Sequence, residues 1–256
     1  MAANSTEISL DGTWDFTWTA SSVADVPELP DRNDYESEVT VPGRIDDQWD
    51  RLRDASWWEE AEFANSMGPV RYLYGTCWYR RTFDAPEQWE GRAVRLTVGW
   101  GVGVSHVWLN GEHVGRYDYG VYTPHTVDLS KHLRFGEENV LVVSLDNTKG
   151  FAGGWAFIGN AGRATGITRS VTLDVAAGPG YIADVYVRPG ADLTEVRSQI
   201  TLQSPAGSQT VPSSKLQWEV IDAKDNSQLA QGSEAVEGFG GSRQVTFTTR
   251  VQNIKP

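Results

Sequence analysis

The sequence has little cysteine and no long hydrophobic run. Cys77 is the single cysteine among 256 residues, so no disulfide can form within the chain. Its position between Thr76 and Trp78 is typical of a buried thiol. No segment approaches the roughly 18 consecutive apolar residues of a membrane-spanning helix, and the N-terminus lacks a basic-then-apolar signal pattern. We therefore expect no membrane partner. The compartment stays open: periplasmic or secreted if a signal peptide has been removed, cytoplasmic otherwise.

Positive charge is also scarce. The 22 lysines and arginines stand against 34 aspartates and glutamates, which gives a formal net charge of −12. No run of five or more like charges occurs. A chain of this charge is repelled by a polyanion, so nucleic acid is excluded as an expected partner, and neutral ligands or cationic surfaces fit better.

Histidine spacing gives no sign of a metal centre. The four histidines lie at His106, His113, His125 and His132, and none of these spacings matches an H-x-x-x-H pair or a cysteine-assisted set. We therefore expect no transition metal and no other cofactor.

Helical periodicity is sparse, whereas strand patterns recur along the chain. Apolar and polar residues alternate over 94–100, which predicts a strand with one buried face. Segments 104–109 and 112–116 flank Asn110-Gly111, a dipeptide that tolerates the positive φ angles of a two-residue hairpin turn. The unbroken apolar run 140–145 predicts a strand at the centre of a sheet. These patterns predict an all-β protein.

A break in the strand patterns divides the chain. Residues 176–180 read Ala-Ala-Gly-Pro-Gly, and paired glycines around a proline interrupt any ladder. Short strands then recur at sandwich-like spacing, at 184–188, 195–202, 216–221 and 244–251. At about 150 residues per domain, the chain has room for two, and we predict domains at 1–178 and 179–256.

One connection, from 42 to 75, is unusually long for a compact domain. A single short helix over 45–52 is the only element that its pattern predicts. Connections longer than about 15 residues are often functional. This one carries Trp49, Trp57 and Trp58, which makes it the first segment of functional interest.

Six ordered motifs between residues 8 and 175 carry a family resemblance. They are Leu10–Phe16, Val41–Gly43, Cys77–Phe83, Val107–Gly115, Tyr122–Pro124 with Asp128–Ser130, and Gly166–Val171. Together they resemble the N-terminal region of family 2 glycoside hydrolases, the group of β-galactosidases, β-glucuronidases and β-mannosidases. The segment Val107–Gly115, which reads VWLNGEHVG, is the most specific of the six.

The resemblance implies a particular domain order. The first domain would be a galactose-binding-like jelly-roll sandwich, and the second an immunoglobulin-like β-sandwich whose first strand resembles Ile182–Val187. In the family a (β/α)8 barrel then carries both catalytic glutamates. The sequence given ends at Asn253–Pro256, where the resemblance implies a continuation, so we expect no barrel among these residues, and the completeness of the second sandwich stays open.

The expected function follows from the expected absence of the barrel. Retaining hydrolysis needs two carboxyl groups roughly 5 Å apart, and the resemblance places both outside this chain. We therefore expect no catalytic residue here, but a carbohydrate-binding region that completes the active site of a barrel in its parent or in a separate chain. The parent would be a retaining β-glycosidase. The alternatives are a free-standing carbohydrate-binding module and a structural domain that assembles, for example as a homo-oligomer.

Candidate sugar-binding residues lie in the long connection and in loop 151–163. Sugars present C–H faces that pack on aromatic rings and hydroxyls that favour planar partners. The resemblance brings loop 151–163 near the barrel's active site, with an amide at Asn160 to hold a hydroxyl and a basic residue at Arg163. The candidates are Trp49, Trp57, Trp58, Trp155, Asn160 and Arg163. Core packing is the alternative for the tryptophans, and a glycine-rich turn is the alternative for Asn160. The superfamily also allows a structural calcium on loop oxygens, although no residues here specify one.

Overall fold

The structure is all-β, as the sequence patterns predict. The computed structural model describes residues 5–65, 71–99, 101, 103–120, 123–149, 166–190, 194–205 and 210–251. The chain divides into two compact units, one formed by Glu7–Glu90 and Val94–Val175 and the other by Met1–Thr6, Gly91–Ala93 and Ala176–Pro256. In the described residues no helix is long and apolar enough to cross a bilayer.

Twelve strands and one short helix precede Ala176 in the described residues. They are β1 (Thr6–Ser9), β2 (Gly12–Thr19), β3 (Ser37–Val41), α1 (Trp49–Leu52), β4 (Glu62–Asn65), β5 (Arg71–Tyr74), β6 (Thr76–Ala85), β7 (Val94–Val98), β8 (Gly103–Leu109), β9 (Glu112–Gly120), β10 (His125–Asp128), β11 (Glu137–Asp146) and β12 (Val171–Val175). Single 3-10 turns lie at Arg32–Asp34, Ile45–Asp47, Ser56–Glu59 and Glu87–Trp89.

These strands form a sandwich of two main sheets. The six-stranded sheet has the order β3-β2-β6-β11-β8-β9, and the four-stranded sheet has the order β1-β12-β7-β10. Side chains from both sheets join one apolar core, which includes Trp14, Phe16, Leu96, Leu141 and Leu173. Burying this continuous apolar surface is the main force that holds the sandwich together.

Three predicted strand features are confirmed. In β7 the side chains of Val94, Leu96 and Val98 are buried, whereas the two between them are half-buried. The β8–β9 hairpin turns at Asn110-Gly111, with φ angles of 54° and 86°. Strand β11 pairs with β6 on one side and β8 on the other, so the run 140–145 is central.

The long connection contains more structure than its sequence indicates. The predicted short helix corresponds to the turn Ile45–Asp47 followed by α1, and Ile45 and Leu52 are fully buried. Strands β4 and β5 form an additional two-stranded sheet that no alternating pattern predicted. Four-residue strands are too short to give a clear period of two.

The unit from Ala176 onward is a smaller sandwich. Its strands are β13 (Tyr181–Pro189), β14 (Glu195–Gln203), β15 (Ser214–Ile221), β16 (Gln228–Val236) and β17 (Ser242–Arg250). They form a three-stranded sheet, β13-β14-β17, and a two-stranded sheet, β15-β16. The core includes Ile200, Leu202, Val236 and Val245.

Burial in the three-stranded sheet falls sharply toward β13. Val185, Ile200 and Val245 face one another across the three strands, so they share one side of the sheet. Their exposed fractions are 53%, 6% and 8% in that order. The cover comes from β15, where Trp218 stacks on Phe247 of β17 at 3.6 Å between ring centroids. Strand β13 is therefore both an edge strand and an uncovered one.

Candidate functional site

The first residues of the long connection, 42–75, contact residues that follow loop 151–163 in the sequence. The Gly43 amide donates to the Ile167 carbonyl at 2.8 Å. Gly166 has a φ of 121°, and a Cβ atom there would lie 2.6 Å from the Gly43 carbonyl oxygen. Only glycine fits this close approach without displacing the backbone.

The last residues of the same connection contact a residue that precedes loop 151–163 in the sequence. Gly75 donates its amide to Asn147 Oδ1 at 2.9 Å, and Asn147 Nδ2 donates to the Leu73 carbonyl at 2.6 Å. Trp18 adds a hydrogen bond from Nε1 to the Tyr74 carbonyl at 3.1 Å.

The described residues that flank the second candidate segment are therefore hydrogen-bonded to the two ends of the connection. The described residues on either side of 150–165 contact the first and last residues of the connection 42–75. Trp155, Asn160 and Arg163 lie outside the described residues, and their sugar-binding role stays a prediction.

The three tryptophans of the connection form an aromatic series that starts in the core. Trp57 is 8% exposed. Its ring centroid lies 6.0 Å from that of Phe16 and 6.2 Å from that of Trp18. Trp58 follows at 6.1 Å from Trp57, and Trp49 packs edge-on against Trp58 at 5.4 Å.

Burial separates these tryptophans into two kinds. Trp57 belongs to the core, so the alternative of core packing holds for this candidate ring, which contacts Phe16 and Trp18. Trp49 and Trp58 pack against the same core but are only half-buried. Both tryptophans thus keep accessible ring surface in the connection.

A polar network holds the start of the connection in place. Gln48 accepts a hydrogen bond from the Thr40 amide at 2.6 Å, and its Nε2 donates to the Thr40 carbonyl at 3.2 Å and the Arg44 carbonyl at 3.0 Å. The Arg44 guanidinium contacts Asp46 at 3.2 Å, and the Asp46 side chain is 5% exposed. Gln48 was not predictable from the sequence, because its side chain bonds to main-chain groups of Thr40 and Arg44 and matches no motif.

The buried thiol expectation is confirmed for Cys77. The side chain is buried and unpaired with any other cysteine. Burial, with smaller contributions from Asp46 and Asp146, raises the pKa of the Cys77 thiol well above its usual range. The thiol therefore remains protonated and is a poor nucleophile.

Three histidines cluster on neighbouring strands. His106 Nδ1 lies 3.0 Å from His113 Nε2, so one ring nitrogen donates and the other accepts. His125 Nδ1 lies 2.7 Å from Ser105 Oγ. Burial lowers the pKa of His106 and of His125 to about 4. Within the described part of the chain, no group of three or more His, Cys, Asp or Glu side chains is arranged to hold a metal ion.

The fold and a match to a family model together identify the class of protein. The two main sheets form a jelly-roll sandwich, an architecture also used by lectin domains. A family model described as the sugar binding domain of glycosyl hydrolases family 2 matches residues 8–175. The chain therefore belongs to glycosyl hydrolase family 2, and the resemblance carried by the six motifs is confirmed.

Curated relatives share this region at low identity. A β-glucuronidase from Formosa agariphila is 31% identical over 99 residues, which are 39% of this chain and 10% of the relative. The β-galactosidase BoGH2A from Bacteroides ovatus is 24% identical over 209 residues, which are 78% of this chain and 24% of the relative. The chain thus spans a small part of the length of the curated relatives it matches.

Solved structures share the fold over almost the whole chain. A β-glucuronidase from glycoside hydrolase family 2 superposes with a TM-score of 0.72 at 20% identity, covering 100% of this chain and 27% of that protein. A β-galactosidase described as putative, from Bacteroides fragilis, gives a TM-score of 0.68 at 18% identity, covering 98% of this chain and 36% of that protein. The chain corresponds to the N-terminal, sugar-binding region of such proteins, and its described residues contain no (β/α)8 barrel.

Proposed function

We propose that this chain recognises carbohydrate as part of a larger retaining β-glycosidase, by completing one wall of an active site that a (β/α)8 barrel supplies. The observation that carries the proposal is the contact between the two ends of the connection 42–75 and the residues that flank 150–165. Gly43 and Gly75, at the two ends of the connection, contact Ile167 and Asn147 in that order. Two chain segments that start and end at neighbouring positions can present several side chains to one ligand.

The chemistry of the candidate residues supports a recognition role. The half-buried Trp49 and Trp58 offer apolar ring surface to the C–H face of a sugar. Asn160 offers both an amide donor and an acceptor to hydroxyls, and Arg163 offers a planar fork of donors. None of these groups is a pair of carboxyls roughly 5 Å apart, which retaining hydrolysis requires, so the catalytic pair is assigned to the barrel.

The two-domain arrangement is part of the same proposal. We place the domain boundary between Gly178 and Pro179, and the division of the compact units after Val175 supports it. The first domain would hold the recognition loops. The second would connect it to the barrel and, through the uncovered β13, to a second copy of the chain.

A chimera tests this function. The chain would replace the matching N-terminal portion of a structurally similar family 2 β-glucuronidase, and hydrolysis of a panel of nitrophenyl β-glycosides would be followed. We expect activity toward at least one glycoside, and a loss of roughly tenfold in kcat/KM for Asn160→Ala and for Trp58→Ala, each of which removes a contact to the substrate.

Matched controls separate contact from folding. Asn33→Ala and Trp89→Ala make the same chemical changes at a surface turn and at a turn in another part of the first unit. They should leave kcat/KM within about twofold, as expected of side chains without substrate contact. Equal kcat/KM for all four variants and the parent chimera would contradict the proposal.

A further inference from the structure

The two half-buried tryptophans of the connection 42–75 are carried by short turns that lie against strand β3. Trp49 is the first residue of α1, and Trp58 lies in the 3-10 turn Ser56–Glu59. Their ring centroids are 5.4 Å apart, and the ring planes meet at 72°. Because neither ring is fully buried, the turns that carry the two rings help to determine how they meet.

The turn Ser56–Glu59 is capped from a distant part of the chain. The first amides of a helical turn have no partner inside the turn, and a side-chain oxygen of the preceding residue commonly accepts from one of them. Here that residue is Ala55, whose side chain has no oxygen. Glu36 takes the role instead: one carboxylate oxygen accepts from the Ser56 amide at 2.7 Å, and the other accepts from Ser56 Oγ at 2.7 Å.

The Glu36 carboxylate favours its ionised form in this contact. Both hydrogen bonds from Ser56 are donated to the carboxylate, and they lower the pKa of Glu36. Hydrogen bonds to an ionised acceptor are shorter and roughly twice as strong as those between neutral groups. The contact therefore restricts the position of the turn, although Glu36 and Ser56 are both exposed.

A second set of contacts from the same strand holds α1. Thr40 of β3 bonds through its main chain to the Gln48 side chain, and Arg51 Nη1 donates to Thr40 Oγ1 at 3.0 Å. Gln48 and Arg51 lie on either side of Trp49 in the sequence. The turns that carry the two rings are thus fastened to β3 and to the residue directly before it.

Within the capped turn, the two tryptophans depend on the cap to different degrees. Trp57 is held in the core by Phe16 and Trp18. Trp58 is less buried, so the position of the turn has more influence on its ring. We propose that Glu36 is a positioning residue for carbohydrate recognition, which caps the turn Ser56–Glu59 and thereby holds Trp58 against Trp49 before a ligand arrives. The role in recognition rests on the proposed function, whereas the positioning itself does not.

Near-ultraviolet circular dichroism of the full chain tests the positioning without any ligand. Two indole rings at this separation couple their electronic transitions, so the difference spectrum between the chain and its Trp49→Phe variant depends on how Trp49 and Trp58 are oriented. Glu36→Ala should remove most of that difference spectrum. Glu36→Gln should preserve it, because an amide can accept from the Ser56 amide and donate to the Ser56 hydroxyl. Glu38→Ala, the same change at an exposed position of β3, is the matched control and should have no effect.

A double-mutant cycle in the chimera tests whether Glu36 acts through Trp58. Glu36→Ala should raise KM for the neutral glycoside about fivefold and leave kcat within about twofold, because the ring contributes to binding and not to the reacting atoms. Combined with Trp58→Ala, the same substitution should have no further effect on KM. A substitution that acts through general loss of stability would raise KM in both backgrounds.

Two results would overturn the proposal. One is an unchanged difference spectrum in a folded Glu36→Ala chain. The other is the same rise in KM from Glu36→Ala whether or not Trp58 is present. An inactive chimera would count against the proposed function alone, because the spectrum is recorded without ligand or barrel and still decides the positioning.

Discussion

Three histidines of the first unit are held where protonation is unfavourable. The pKa of His106 and that of His125 fall from 6.5 to about 4, mainly through burial, and the pKa of His113 is also lowered. Between pH 6.5 and 4 the unfolded chain binds protons that the folded chain does not. The free energy of unfolding should therefore decrease as the pH drops through this window.

Chemical denaturation followed by tryptophan fluorescence measures this effect. From pH 7 to pH 5 we expect the first unit to lose about 2 kcal/mol for each of His106 and His125. In the His125→Asn variant, the pH-dependent loss in the free energy of unfolding should be smaller by the His125 contribution. The Thr126→Asn variant changes the next, exposed residue of β10 and should show the full loss. Equal stability at the two pH values would contradict the assigned burial of these rings.

Gly166 gives a second prediction at the residue scale. A Cβ atom there would lie 2.6 Å from the Gly43 carbonyl oxygen, at a φ of 121°. Gly111→Ala is the matched control, since Gly111 also has a positive φ, 86°, but has nothing within 4 Å of its Cβ position. We expect Gly166→Ala to lower the free energy of unfolding by about 3 kcal/mol or more, and Gly111→Ala by about 1 kcal/mol. Equal losses in urea denaturation would show that the close approach to Gly43 has no role.

The conformation or burial of a single residue was predictable only where residues adjacent in sequence determine it. The turn at Asn110-Gly111 and the buried thiol of Cys77 follow from neighbouring residues, and both are confirmed. Trp57 and Trp58 are adjacent in the sequence but differ in burial. That difference depends on Phe16 and Trp18, which are distant in sequence, so composition and spacing could not separate the two rings.

Among the described strands, β13 is the one whose apolar side chains are most exposed to solvent. Val185, Tyr186 and Val187 are 53%, 56% and 55% exposed, so apolar groups on both faces of this edge strand meet solvent. Edge strands of this kind recruit another strand unless they are blocked. We expect the chain to associate with a second copy through β13, in a concentration-dependent manner.

Sedimentation velocity over a range of concentrations measures this association. Val185→Lys combined with Val187→Lys should shift the chain to monomer, because lysines on an edge strand oppose pairing. Val23→Lys is the control, since Val23 is fully exposed but lies outside any strand. A sharp monomer at all concentrations of the unaltered chain would contradict the role of β13.

Strands with a strong apolar pattern were predictable, and those with a weak one were not. The sequence indicates β7, β11 and the β8–β9 hairpin, because their side chains meet a core on one face or both. It does not indicate β16, whose residues QLAQGSEAV show no alternation of apolar and polar side chains. That strand is stabilised by pairing with β15, where Gly232 leaves room for the Trp218 ring, and this condition is visible only in three dimensions.

At the scale of the whole molecule, the motif order identifies the family and the fold follows from it. Six motifs over residues 8–175 coincide with the range of the matching sugar-binding domain.

If the recognition loops act only beside a catalytic barrel, the chain alone should not bind a neutral β-glycoside. Calorimetric titration of one such glycoside, into the chain alone and into the chimera with its barrel nucleophile substituted, measures this directly. We expect no saturable binding by the chain alone, and binding by the chimera that Trp58→Ala weakens roughly tenfold. Binding of the glycoside by the chain alone, as tight as by the chimera, would instead identify a free-standing carbohydrate-binding module.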